Sequence, residues 1–232
     1  MSTTAGLIFG LRSESGGGDK ATILSGSARD SGDTSWIEIP SGQTRVVDLT
    51  TTGLGGLDTG TVQASESYAL YVIKSQSGVV GAFASLSFSP TGVNVPTGAV
   101  IRRVGALATD TNKKIHAFSQ VGNSSQRVVQ YDGALSSLAR LLDGTAQSLT
   151  PIDLGPLVPQ QQGSDSASVS IVPSGAGNVT SIQDAGGGQQ ASISVPSTLG
   201  FIPTSGTSRM DYTNSTAGGT TSVYVIGFTD TL

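Results

Sequence analysis

The chain contains no cysteine. Disulfides, thiolate metal sites and cysteine nucleophiles are excluded, so stability has to come from packing or assembly. Histidine occurs once, as His116, and acidic residues number only 16. The usual donors for acid–base chemistry and metal ligation are therefore sparse. No pair of histidines at metal-ligand spacing and no Asp-x-Asp calcium loop is present, so no metal and no cofactor is expected. Charged residues make up 12 % of the 232 positions, against about 25 % in an ordinary soluble domain. Neither half is basic: residues 1–132 hold ten basic and ten acidic side chains, and residues 133–232 hold two and six. Nucleic acid is not an expected partner. No apolar run approaches the ~18 residues of a membrane span. Leu7-Ile8-Phe9 is too short for the apolar core of a signal peptide, so synthesis in a cytoplasm without export is expected.

What the chain has in abundance is small and hydroxylic: 32 Gly, 34 Ser and 26 Thr. These residues are poor helix formers, and their hydroxyls and exposed backbone must solvate the surface in place of charge. An all-β protein follows. Short apolar stretches recur between Gly, Pro and Asn turns, at the spacing of a sandwich or barrel. Trp36–Ile39, Thr44–Leu49, Val100–Ala108, Ile115–Gln120 and Arg127–Tyr131 read as strands. Tyr68–Ile73 is apolar on both parities and is expected in the middle of a sheet, followed by a Gln76-Ser77-Gly78 turn into Val79–Ala84. In the second half, Ala167, Val169 and Ile171 alternate with serines, and Ala191, Ile193 and Val195 do the same after a Gly186-Gly187-Gly188 loop. Val223–Phe228 is a further central strand. Leu135–Leu142 has helical spacing and is the one helix candidate, or equally a connector between the two halves. With no helices to cover sheets, each core must lie between sheets. The expected architecture is two jelly-roll-like or β-sandwich halves, residues 36–132 and 133–232, preceded by an extended N-terminal arm, residues 1–35. Two readings of that arm stand: a strand such as Ala21–Leu24 tucked onto its own domain, or an arm laid across a neighbouring subunit.

Candidate chemistry is thin. Asp58-Thr59-Gly60 matches the signature of aspartic proteases, where two carboxylates share a proton. Glycines at 53, 55 and 56 crowd its approach, no second in-chain motif exists, and Asp-Thr-Gly is also ordinary turn chemistry. His116 reads as a strand-face or interface residue. No Gly-x-Ser-x-Gly elbow and no Walker spacing is present. Arg102, Arg103, Lys113 and Lys114 lie on neighbouring segments and would form a small basic patch if these make a hairpin. No catalytic residue is assigned, and the protein is not expected to be an enzyme.

Residues 56–120 resemble a module of structural proteins in tailed double-stranded DNA bacteriophages. The pattern runs through Gly56-Leu57-Asp58-Thr59-Gly60, Tyr68–Ile73, Ser77-Gly78, Pro96-Thr97-Gly98, Arg102-Arg103-Val104-Gly105, Thr109-Asp110 and Phe118-Ser119-Gln120. It departs at Ala69, where such modules carry adjacent aromatics. The resemblance implies a virion protein: a head decoration (cement) protein that assembles as a homotrimer on the major capsid protein, or alternatively a tail or head fibre contacting the host surface. The interface residues expected on this reading are Leu7, Ile8, Phe9 and Leu11 as apolar anchors, with Arg102, Arg103, Lys113 and Lys114 as the charged contribution.

Overall fold

The computed structural model of the chain describes residues 7–122, 126–159, 166–184, 190–195, 197–203 and 208–232. Among them the structure is all-β, and the only helical segments are 3-10 turns at Pro90–Gly92 and Leu135–Leu138. The chain divides into two compact units, Met1–Val129 with Asp230–Leu232, and Gln130–Thr229. The division falls between Val129 and Gln130. The last three residues, however, return to the first unit.

The first unit opens with four short strands where an extended arm was expected: β1 (Ile8–Gly10), β2 (Ser13–Ser15), β3 (Lys20–Ile23) and β4 (Gly26–Arg29). They are followed by β5 (Trp36–Ile39), β6 (Arg45–Asp48), β7 (Ser67–Lys74), β8 (Val80–Ser85), β9 (Val100–Ala108), β10 (Phe118–Val121) and β11 (Gln126–Tyr131). β11 crosses the unit boundary after Val129. Strand order is β1-β4-β5 in one sheet, β8-β7-β9 in another, and β11-β10-β2-β3-β6 along a third path. The tucked reading of the N-terminal segment is the one realised: β1 pairs antiparallel with β4, and β3 pairs with β6.

Glycine makes the first of these pairings possible. A Cβ on Gly26 would stand 2.2 Å from the Phe9 carbonyl oxygen and 2.4 Å from the Leu11 nitrogen. The two backbones approach too closely for any other residue at that position.

As its two-sided apolar pattern requires, β7 is the central strand of its sheet, and Tyr68 to Ile73 are all buried. One of its faces, Ala69, Tyr71 and Ile73, forms a cluster with Phe83 and Ile101, covered by Phe88, Val93, Val95 and Ala99 from the segment between β8 and β9.

A buried cation ties the N-terminal segment down. Arg127 on β11 is 1 % exposed. Its Nη2 donates to the Gly10 carbonyl at 2.7 Å, and its Nη1 donates to Leu11 O at 2.8 Å, Val104 O at 3.0 Å and Gln120 Oε1 at 3.1 Å. Gln120 Oε1 also accepts from the Ser13 backbone N–H and hydroxyl, both at 3.0 Å. Burial pushes the Arg127 guanidinium down to about 10, still protonated at neutral pH. At the other end of the chain, Arg103 Nη1 meets Asp230 Oδ1 at 2.7 Å, both within the first unit.

The second unit holds β12 (Ala139–Gly144), β13 (Thr150–Asp153), β14 (Ser166–Ser174), β15 (Thr180–Asp184), β16 (Gln190–Ile193), β17 (Ser197–Pro203), β18 (Arg209–Asn214) and most of β19 (Thr220–Thr231). One sheet runs β17-β14-β19 with β12 also on β19, and the other runs β13-β18-β15-β16. The Leu135–Leu142 helix candidate is corrected. It is a 3-10 turn followed by β12, whose partner is β19, so sheet pairing overrides the helical spacing. The sheets are joined by buried polar groups. Thr180 and Thr221 hydroxyls lie 2.6 Å apart, Asn178 Nδ2 donates to Asn214 Oδ1 at 2.9 Å, and Asn214 Nδ2 donates to Gly144 O at 2.8 Å. Hydroxyls and amides satisfy one another here, which burial requires. The Gly186-Gly187-Gly188 loop lies outside the described residues.

Replacing Arg127 with methionine keeps the bulk but removes this donor from the Gly10, Leu11 and Val104 carbonyls, while Gln120 Oε1 keeps Ser13. The expected cost is about 3 kcal/mol or more, read as a lowered urea midpoint of the first unit. An unchanged midpoint would contradict the anchoring role.

Candidate functional site

The sheet β1-β4-β5 has a buried face and an open one. Registers Ile8↔Ala28↔Ile37 place these three inward, each at most 2 % exposed. The alternation that buries them turns their neighbours outward. Leu7 is 58 % exposed, Phe9 57 % and Trp36 43 %. Arg29 lies between them, its guanidinium carbon 5.5 Å from the Trp36 ring centroid and its Nε 2.8 Å from Asp33 Oδ1. Aromatic residues and an arginine on one open face are residue types that interface cores favour.

Asp30 holds the turn that carries Trp36 into place. Its carboxylate accepts from the backbone N–H groups of Gly32 at 3.0 Å and Thr34 at 2.7 Å, and from that of Ser35. Burial alone would raise its pKa, but these three donors outweigh it and hold the carboxyl below its usual value.

The second feature is a cavity of about 370 Å³ in the first unit. Its floor is the β8-β7-β9 sheet at Ile73 and Phe83, and its walls come from Leu54, Val79, Val95 and Pro96. The loop before β7 reaches it by running beside the edge strand β8: Gly55 N donates to Ala82 O and Asp58 N to Ala84 O, both at 2.8 Å. Covering an edge in this way also removes a site of unwanted strand pairing.

Asp58 lines the cavity and is 8 % exposed. Its Oδ2 accepts from the Ser85 hydroxyl at 3.0 Å and from the Asn94 backbone N–H at 3.2 Å. Beneath lies Tyr71, stacked on Phe83 at 5.4 Å, with its hydroxyl donating to Ser87 O at 3.0 Å and its pKa pushed up to about 12 by burial. Asp58 is the one carboxylate among the residues lining this cavity. The paired carboxylates that the protease reading needs are not brought together there.

The eight expected interface residues separate. Leu7 and Phe9 lie on the open face. Ile8 and Leu11 are 2 % and 0 % exposed in the core of their own unit, a correction to their reading as anchors in a neighbour. The basic patch is corrected as well. Arg102 and Arg103 are each 8 % exposed on β9, and Arg103 is paired with Asp230. Lys113 and Lys114 lie in the following turn, where Lys114 Nζ meets Asp19 Oδ1 at 2.8 Å. His116 is half-buried. The fibre alternative calls for exposed aromatics at a tip; in the second unit Tyr212 is 4 % exposed, and the side chain of Phe201 lies outside the described residues.

Sequence reasoning missed Asp30, Arg29 and Trp36 as parts of one face. Their one visible signal was the Asp30-Ser31-Gly32-Asp33 turn composition next to the single tryptophan. Comparison with protein-family models, curated proteins and solved structures finds no match to this chain.

The folded pKa of Asp30 lies below the unfolded value of about 3.9, so its contribution is fully present above that pH and is lost as pH falls through the folded value. Asp30→Ala is expected to cost about 1–3 kcal/mol at neutral pH. It should also flatten the acid limb of the stability curve, measured by urea unfolding at pH 3 to 7. An acid limb as steep as the wild type's would remove Asp30 from the account.

Proposed function

We propose that this chain is a non-enzymatic virion structural protein of a tailed double-stranded DNA bacteriophage. On this reading it decorates the capsid as a homotrimer and stabilises it by bridging neighbouring major capsid subunits. The observation that carries the proposal is the open face of β1-β4-β5, where Leu7 and Phe9 at one outer strand and Trp36 on the other are exposed, with Arg29 on the central strand between them. A chain with 12 % charge can ill afford uncovered aromatics unless a partner covers them. The phage assignment and the trimeric state rest on the resemblance of residues 56–120.

Adhesion follows from area. Each half-exposed side chain on that face contributes roughly 1 kcal/mol on full burial. Contacts that are weak singly become strong when three copies engage one lattice together. The capsid's contribution is then geometric: it presents repeating sites at the spacing of the trimer. Deleting the N-terminal residues is a poor test, because Ile8, Leu11 and Ser13 belong to the core of the first unit.

Point changes on the open face keep the fold and remove the apolar contact. Leu7→Ser with Phe9→Ser is expected to convert a trimer into a monomer in sedimentation velocity, with the monomer still folded by circular dichroism and its urea midpoint now independent of protein concentration. A wild type that sediments as a monomer at all concentrations, or a double variant that remains trimeric, would overturn the role of this face. Copy number on purified particles tests the location. Many copies in fixed ratio to the major capsid protein support decoration, whereas a few copies at the tail favour the fibre alternative.

A further inference from the structure

We propose that the cavity over the β8-β7-β9 sheet is a binding site for a small aliphatic ammonium compound, with its apolar body against Ile73 and Phe83 and its cationic end on Asp58. This goes beyond adhesion and does not depend on it.

The argument starts from the carboxylate. A carboxylate taken nine-tenths out of water needs either a full set of hydrogen bonds or a cation. Asp58 is 8 % exposed. Its Oδ2 is satisfied by Ser85 and the Asn94 backbone N–H, and its backbone carbonyl receives Asn94 Nδ2 at 3.5 Å. Its Oδ1 accepts no hydrogen bond, and no Lys, Arg or His pairs with Asp58 among the described residues. The pair of donors fixes the group from one side and leaves its second oxygen for something that the chain does not supply.

The rest of the wall specifies what that something carries. Leu54, Ile73, Val79, Phe83, Val95 and Pro96 offer apolar surface, and Ser75 and Asn94 are the other polar side chains. At about 370 Å³ the space falls at the compact end of small-molecule sites, which run ~300–1,000 Å³. A sugar would need several directed donors and acceptors, and an anion would face Asp58. A short alkyl chain ending in an ammonium group matches both the one charge and the apolar remainder. Leu54 forms the outer wall and is held there by Gly81: a Cβ at position 81 would stand 2.3 Å from Leu54 Cδ1.

The test uses the whole chain with n-hexylammonium, n-hexanol and hexanoate as probes, followed by methyl chemical shifts of Leu54, Ile73, Val79 and Val95. Hexylammonium is expected to bind saturably and at least tenfold more tightly than hexanol, with hexanoate weaker still. In Asp58→Asn, whose side-chain oxygen still accepts from Ser85 and Asn94, the preference for the ammonium over hexanol should fall to within twofold. Equal affinities for hexylammonium and hexanol in the wild type would overturn the proposal. So would a preference that survives in Asp58→Asn, or an absence of saturable binding at these methyls.

Discussion

A guanidinium removed from water has to find acceptors for its N–H groups, and Arg127 finds them in three separate stretches of the first unit. Gly10 ends β1 and Leu11 follows it, Val104 lies on β9, and Gln120 lies on β10. The arrangement converts a Gly- and Ser-rich N-terminal segment, with little apolar surface of its own, into part of a packed unit. Everything on the open face depends on it. With Leu11 and Ile8 drawn inward, the pleat turns Leu7 and Phe9 outward on the face that also carries Trp36. The same constraint leaves Arg127 partly unsatisfied, since its Nε has no partner among the described residues. Such buried polar hubs favour one arrangement over competing ones more than they add stability.

A protein with few charges and many hydroxyls must also build cores that tolerate polar atoms. The second unit does so with the Thr180, Thr221, Asn178 and Asn214 group, where each side chain answers another. The first unit does so at Asp30 and Asp58, where a carboxylate organises a loop through backbone N–H groups. The difference between these two is instructive. Asp30 is saturated by its own turn and is structural, whereas Asp58 retains an open oxygen in a cavity and is therefore the candidate for ligand recognition.

Strands with strong alternation or two-sided apolar character were legible from the residues: Trp36–Ile39, the β7 core, Val100–Ala108 and Ala167–Ile171 all lie where their patterns place them. Among those missed were β1, β2, β4, β12, β15 and β17. Segments such as Ser13–Ser15 and Gly26–Arg29 have little strand propensity and are extended because a partner pairs with them. The helical spacing of Leu135–Leu142 lost to pairing with β19 for the same reason. Arg127 sat on the inward parity of its strand, with Val129, but nothing local reveals that a charge there will be buried. Asp58 stood out as a motif. Its placement in a cavity depends on contacts with residues 27 and 36 positions away, which no local pattern encodes.

Trp36 is the single tryptophan of the chain and stands on the face that the proposed assembly covers. Its fluorescence therefore reports directly on the central claim. At micromolar protein, Trp36 emission should be blue-shifted and protected from acrylamide, and dilution or the Leu7→Ser, Phe9→Ser double variant should restore full quenching. A Trp36 that is equally open to quencher at every concentration, with emission typical of an indole in water, would contradict the account.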